Sequence, residues 1–142
     1  MYKRQHLAQQ IKNEIKIKIK LSCSIGISSN KLISKIASDY QKPDGWTVVE
    51  PNKVKEFLEA LEIRVIPGIG KKTEEKFSEM NMDTIKDLKK IDVFTLNKEF
   101  GRKNGTYMYN AIRGVDNEPV KEKEDSTPVS YTHLTLPTIL LV

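Results

Sequence analysis

Two glycines separated by one apolar residue and followed at once by two lysines form the stretch whose residue types suit a definite chemistry: Ile66-Pro67-Gly68-Ile69-Gly70-Lys71-Lys72-Thr73. Such a turn between helices has no side chain to block approach, so its N–H groups can point outward. At the start of the next helix the unpaired amides and the positive end of the dipole favour an anion, and Lys71 and Lys72 add charge beside them. Ile69 is expected to pack between the helices, and positive φ is expected at Gly70. A helix-hairpin-helix of this kind binds nucleic-acid backbone without reading bases, since it offers amides and ammonium groups rather than groups shaped to base edges. The plain alternative is a helix-helix turn that needs glycine only for its backbone angles. A second glycine turn, Gly101-Arg102-Lys103-Asn104-Gly105, could touch a further phosphate through Arg102 and Lys103 or be an ordinary interhelical turn.

Other chemistries lack residues. The single cysteine, Cys23, excludes an internal disulfide, and with His6 and His133 it cannot make an ordinary Cys/His zinc site.

The elements that must position these groups fall into two kinds. Leu7, Ala8, Ile11 and Ile15 recur at helical spacing, and from Ile15 to Ile27 every odd position is apolar, which predicts a helix running into a strand over residues 20–28 with Cys23 facing the core. Leu32, Ile33, Ile36, Ala37 and Tyr40 make one helical stripe, stopped by Lys42-Pro43-Asp44-Gly45, and a short strand follows over residues 46–49. That is a β-α-β run. Pro51-Asn52 then offers a cap for a helix carrying Val54, Phe57, Leu58 and Leu61, after which the chain reads as short helices. Asn81 with Asp83, Asp92, the Gly101 to Gly105 stretch and Gly114 separate them. The fold class expected is α+β, a helix-strand-helix-strand piece followed by a small all-helical piece.

Length and charge agree with this division. A chain of 142 residues with 38% hydrophobic and 30% charged content is globular, with a small core. Residues 1–43 hold nine basic and two acidic residues, whereas the other 99 hold 15 and 17, so a surface for polyanions lies in the first third or is built locally from lysines near a turn. No run of about 18 apolar residues occurs, so no membrane contact is expected and the default compartment is cytoplasmic.

Taken in order, Ser24-Ile25-Gly26-Ile27-Ser28, Asn30-Lys31, Lys35-Ile36-Ala37-Ser38-Asp39, Lys42-Pro43-Asp44-Gly45 and the Pro-Gly-Ile-Gly turn resemble the Y-family DNA polymerases, and within them the DinB-like translesion enzymes. The resemblance covers residues 6–126. It implies that residues 6–50 are the last part of a palm domain and 51–120 a helix-hairpin-helix thumb, with 121–142 a linker and tail. It further implies that Lys42 holds the triphosphate of an incoming deoxynucleotide, and that Gly68, Ile69, Gly70, Lys71 and Lys72, with Arg102 and Lys103, meet the backbone of primer-template DNA. Without the resemblance Lys42 is an ordinary helix-end lysine. The family's two Mg²⁺ ions need Asp and Glu carboxylates from motifs upstream of these residues. Asp39 and Glu14 are lone acids on separate segments and no substitute, so this chain alone is expected to be inactive.

Two ends depart from the pattern. Residues 127–142 look like a translated sequencing-adapter junction and residues 1–5 like its counterpart, so neither is expected to be protein sequence by descent; an apolar C-terminal strand packing on the sheet is the alternative. The first functional expectation is a fragment of a monomeric translesion polymerase. A non-catalytic helix-hairpin-helix module of another repair protein, and an RNA-binding scaffold of the translation machinery using the basic first third, are the alternatives.

Overall fold

Ala8, Ile11 and Ile15 are spaced to lie along one side of a helix, and in the computed structural model, which describes residues 2–122 and 139–141, they do so on α1 (Tyr2–Ile19). Their neighbours are Cys23, Ile25 and Ile27, of which the two isoleucines are fully buried. The helix therefore runs through the stretch whose alternation predicts a strand. Ile17 and Ile19 point to solvent, 77% and 55% exposed. A helix ends at Lys20, whose φ of +58° lies in the left-handed region, and only Ile25–Ile27 joins a ladder, as β1. The predicted strand over residues 20–28 is thus too long by its first five residues and its last. A period of two is not decisive when the partner surface is a short strand that only one helix stripe can cover.

Asn30 caps α2 (Lys31–Tyr40), its side-chain oxygen accepting from the Ile33 amide at 2.9 Å. Leu32, Ile33, Ile36 and Ala37 are buried as expected; Tyr40 is not, at 55% exposed, because the helix outruns the sheet it covers. α2 crosses β1 so closely that a Cβ on Gly26 would strike the backbone of Ser34 and Ser38. The 42–45 turn, with Lys42–Pro43 cis and Asp44 at φ +54°, leads into β2 (Trp46–Val48). β2 pairs in parallel with β1, Ile25 opposite Trp46 and Ile27 opposite Val48. On the other edge of β1 lies β3 (Ile139–Leu141), also parallel, with Ile25 opposite Ile139. Residues 139–141 of the tail thus take the strand position given as the alternative to a foreign junction. The rest of the 127–142 expectation falls on residues outside those described.

The backbone separates into two compact units, Met1–Val48 with Asn117–Val142, and Val49–Asp116. The second is helical: α3 (Val54–Glu59) after a 3₁₀ turn at Pro51–Lys53, α4 (Lys71–Glu79) after a 3₁₀ turn at Ile63–Val65, α5 (Ile85–Leu88), α6 (Val93–Phe100) and α7 (Arg102–Ile112). Leu58, Ile63, Ile66, Phe77, Ile85, Leu88, Leu96 and Ile112 are nearly or fully inaccessible and form its core. Asp92 caps α6 as expected, accepting from the Thr95 amide at 2.9 Å. The cap of α5 is Thr84 rather than Asp83, whose carboxylate instead accepts from the Ser78 hydroxyl at 2.6 Å. Gly101 is the only break in the second glycine stretch. Gly105 lies inside α7, buried, where a Cβ would meet the Leu96 and Asn97 backbone of α6.

Candidate nucleic-acid interface

The hairpin is built from the core outward. Ile66 is fully buried and Ile69 is 5% exposed, the Ile69 amide donating to the Ile66 carbonyl at 3.1 Å, so two apolar anchors force the chain between them into a tight outward loop. Gly68 supplies the left-handed conformation at φ +90°. Gly70 does not: its φ is −95° and ψ −176°, extended backbone that any residue adopts, which corrects the expectation of positive φ there. An added Cβ at Gly70 would meet nothing within 4 Å. Neither backbone strain nor packing requires glycine at this position. What the missing side chain leaves clear is the approach to the first turn of α4, where Gly70 stands as N-cap with no side chain to occupy the first amides.

Lys71 and Lys72 are exposed beside those amides, and neither is in an ion pair with a described residue. Ile69 is brought to the turn as a buried anchor, so only its backbone is available to a ligand. Gly101, with φ +84°, starts α7, and Arg102 and Lys103 in its first turn are exposed. The two glycine turns, over thirty residues apart in sequence, open onto one cleft of about 380 Å³ lined by Pro67, Gly68 and Thr73 from the hairpin and Phe100, Asn104, Tyr107 and Met108 from the α6–α7 side. Tyr107 closes the join, its hydroxyl donating to the Pro67 carbonyl at 2.8 Å. Nothing in the local sequence marks this tyrosine, since its partner lies 40 residues away. Arg113 is a second residue that local pattern misses: it donates to the carbonyls of Tyr109 and Lys89 at 2.9 Å each and stacks over the Tyr109 ring at 3.6 Å, tying α7 to the turn after α5.

Lys42 belongs to the other unit. It is half exposed and its Nζ lies 2.6 Å from Oδ1 of Asp39, so the helix-end lysine carries a neighbouring acid as counter-ion. Glu14 pairs with Lys18 at 3.3 Å on α1. Among the described residues no group of three or more His, Cys, Asp or Glu is placed to hold a metal ion, and the residues present do not fit a pair of Mg²⁺ ions. No helix among the described residues is long and apolar enough to cross a membrane.

Known proteins share both units. A family model described as the DNA polymerase-iota thumb domain matches residues 64–116, the segment holding both glycine turns, and one described as the impB/mucB/samB family matches residues 1–39. The chain belongs to the Y-family DNA polymerases, in their DinB-like branch. It is 72% identical over 125 residues to a DNA polymerase IV of Nitrosopumilus maritimus, covering 88% of this chain and 34% of that one. It is 47% identical over 123 residues to a DNA polymerase IV of Methanosarcina acetivorans, covering 87% and 34%. Among solved structures, DinB from Sulfolobus solfataricus superposes with a TM-score of 0.74 at 33% identity, over 82% of this chain and 34% of that one. A Y-family DNA polymerase chimera gives 0.75 at 33% identity, over 84% and 35%. The chain thus spans about a third of the length of these Y-family relatives. Its fold is the family's α+β arrangement, a palm remnant and a helical thumb. The match beginning at residue 1 takes in residues 1–5, which the sequence reading sets apart.

Proposed function

We propose that this chain is the part of a translesion DNA-directed DNA polymerase that grips the DNA backbone and contributes one lysine to the incoming deoxynucleotide. Residues 6–50 are read as the end of the palm and 51–120 as the thumb. The observation that carries the reading is Gly70: the fold has no use for a glycine there, yet the space its side chain would fill lies open before the first amides of α4, flanked by two exposed lysines that pair with no acid among the described residues. A phosphate diester needs that arrangement, a close approach to N–H groups with cationic charge at the rim. Arg102 and Lys103, exposed in the first turn of α7, extend the contact by a phosphate.

At Lys42 the ammonium exchanges its Asp39 carboxylate for a triphosphate oxygen, a contact that needs no fixed fork and is charge-assisted. The chemical step belongs to the complete polymerase, whose nucleotidyl transfer uses two Mg²⁺ ions on carboxylates that this chain does not supply. The partners are primer-template DNA, damaged template included, and a deoxynucleoside triphosphate; the working form is a cytoplasmic monomer.

Binding of labelled duplex and primer-template DNA across a salt series tests the reading. Affinity is expected to be weak, indifferent to sequence and steeply reduced by salt. Replacing Lys71 and Lys72 together by alanine is expected to weaken binding equally for all sequences and to flatten the salt slope by no more than about two units, roughly one per phosphate-contacting lysine. A double variant that is folded by circular dichroism and binds as wild type makes the hairpin only a turn. Single-stranded RNA that outcompetes primer-template DNA would favour the RNA-binding alternative.

A further inference from the structure

We infer that Lys12, on α1, is a positioning residue for Lys42: it clamps the 42–45 turn that carries the nucleotide lysine. This rests on the reading of Lys42 given above. Lys12 Nζ lies 2.7 Å from the Asp44 carbonyl, 3.3 Å from the Gly45 carbonyl and 3.0 Å from Oδ1 of Asp44. An ammonium has three protons, and here three oxygens of one turn take them. The Lys12 side chain is only 14% exposed while Asp44 is half exposed, so the ammonium is held against the turn from the protected side and the carboxylate stays open to water.

The turn has reason to need a clamp. Asp44 holds φ +54°, in the left-handed region that a non-glycine residue occupies at a cost, and such a conformation persists where the surroundings over-determine it. Gly45 is held from the sheet side, its amide donating to Ser24 Oγ at 3.1 Å and its carbonyl accepting from the Ile25 amide at 3.1 Å. Lys42 is held from the helix side by Asp39. Between them Asp44 is met by Lys12 at both its carbonyl and its carboxylate. Lys12 thus fixes the path of the turn from 32 residues earlier in the sequence, and so where the Lys42 ammonium is presented. The Asp44 carboxyl is held below its ordinary range, first by the hydrogen bond from Lys12 and then by its charge, in keeping with the same geometry.

Two measurements test this. In the chain itself, amide hydrogen exchange at Gly45 is expected to quicken about tenfold in Lys12→Met, which keeps the buried stem and removes the charge. In a complete polymerase carrying residues 6–122 of this chain in place of the matching segment of the Nitrosopumilus maritimus relative, Lys12→Met is expected to raise the nucleotide KM about three- to tenfold while primer-template affinity is unchanged. Lys12→Arg is expected to recover part of that loss. In a Lys42→Ala background Lys12→Met should add nothing further, because it acts through Lys42. A KM that Lys12→Met leaves alone while Lys42→Ala raises it, or effects that simply add, would overturn the inference. If Lys42→Ala leaves KM unchanged, the positioning role falls with the reading of Lys42; quickened Gly45 exchange then puts the fault in that reading, and unchanged exchange in the clamp as well. Should Lys12→Met not fold, Asp44→Asn removes the ion pair alone and is judged by the same outcomes.

Discussion

At the scale of single residues, Gly68 and Gly70 are alike in sequence and opposite in physics. Gly68→Ala puts a Cβ at φ +90° and 3.4 Å from the Tyr107 ring, and is expected to cost about 1 kcal/mol or more of stability, read from the denaturant midpoint. Gly70→Asp puts a good N-cap residue into extended backbone with open space around it, and is expected to hold or raise stability by a few tenths of a kcal/mol. The same carboxylate stands where a phosphate would come, so DNA affinity is expected to fall sharply. A variant that is more stable and binds less separates a ligand-facing glycine from a structural one; unchanged binding by fluorescence anisotropy would count against the phosphate site. The sequence marks both glycines equally, because the sign of φ and the space beside a Cα follow from how Ile66 and Ile69 are buried.

At the scale of elements, Gly105 reads locally as a turn residue and stands instead where α7 leans on α6. Helix propensity alone says that Gly105→Ala gains up to about 1 kcal/mol. The contact with the α6 backbone reverses the sign, and a loss of about 1–3 kcal/mol by overpacking is expected in thermal or denaturant unfolding. Carboxyls at helix starts and in one ion pair between elements also carry the chain's response to acid. Asp92 is held below its ordinary value near 3.8, first by the Thr95 amide, and Asp87 first by the Thr84 hydroxyl. Glu59 is held below 4.5, first by its hydrogen bond from Lys89. Each carboxyl is depressed in the folded state, so its contribution is present above the unfolded value and is lost as pH falls through the folded one. Stability is therefore expected to be insensitive to these groups above about pH 5.5 and to decline below about pH 4.5, measured as the urea midpoint against pH. Removing Asp92 with Asp92→Asn should make that decline shallower.

For the whole molecule, neither of the two units holds a metal-binding cluster among the described residues. Primer extension by the isolated chain is expected to be absent with Mg²⁺ and with Mn²⁺, since positioned metal ions carry most of the stabilisation in phosphoryl transfer. Extension that disappears on mutating a residue of this chain would show that it holds catalytic groups of its own. DNA binding is expected to remain, because the cleft between the two glycine turns lies wholly within the second unit.

What the sequence determined by itself is what short-range order can carry: the β-α-β run, the helical second half, the capping role of Asp92, and the Pro-Gly-Ile-Gly hairpin with its lysines. Each depends on residues within one turn or one strand of each other. Tertiary structure decided the rest. Ile17 and Ile19 lie in a helix because the face of β1 is already filled by Ala8, Ile11 and Ile15. Tyr107 reaches Pro67 and Lys12 reaches Asp44 across 40 and 32 residues, where no local period can foretell a partner. Gly70 is set apart from Gly68 by the space around it, and that space exists only once the helices on either side have packed.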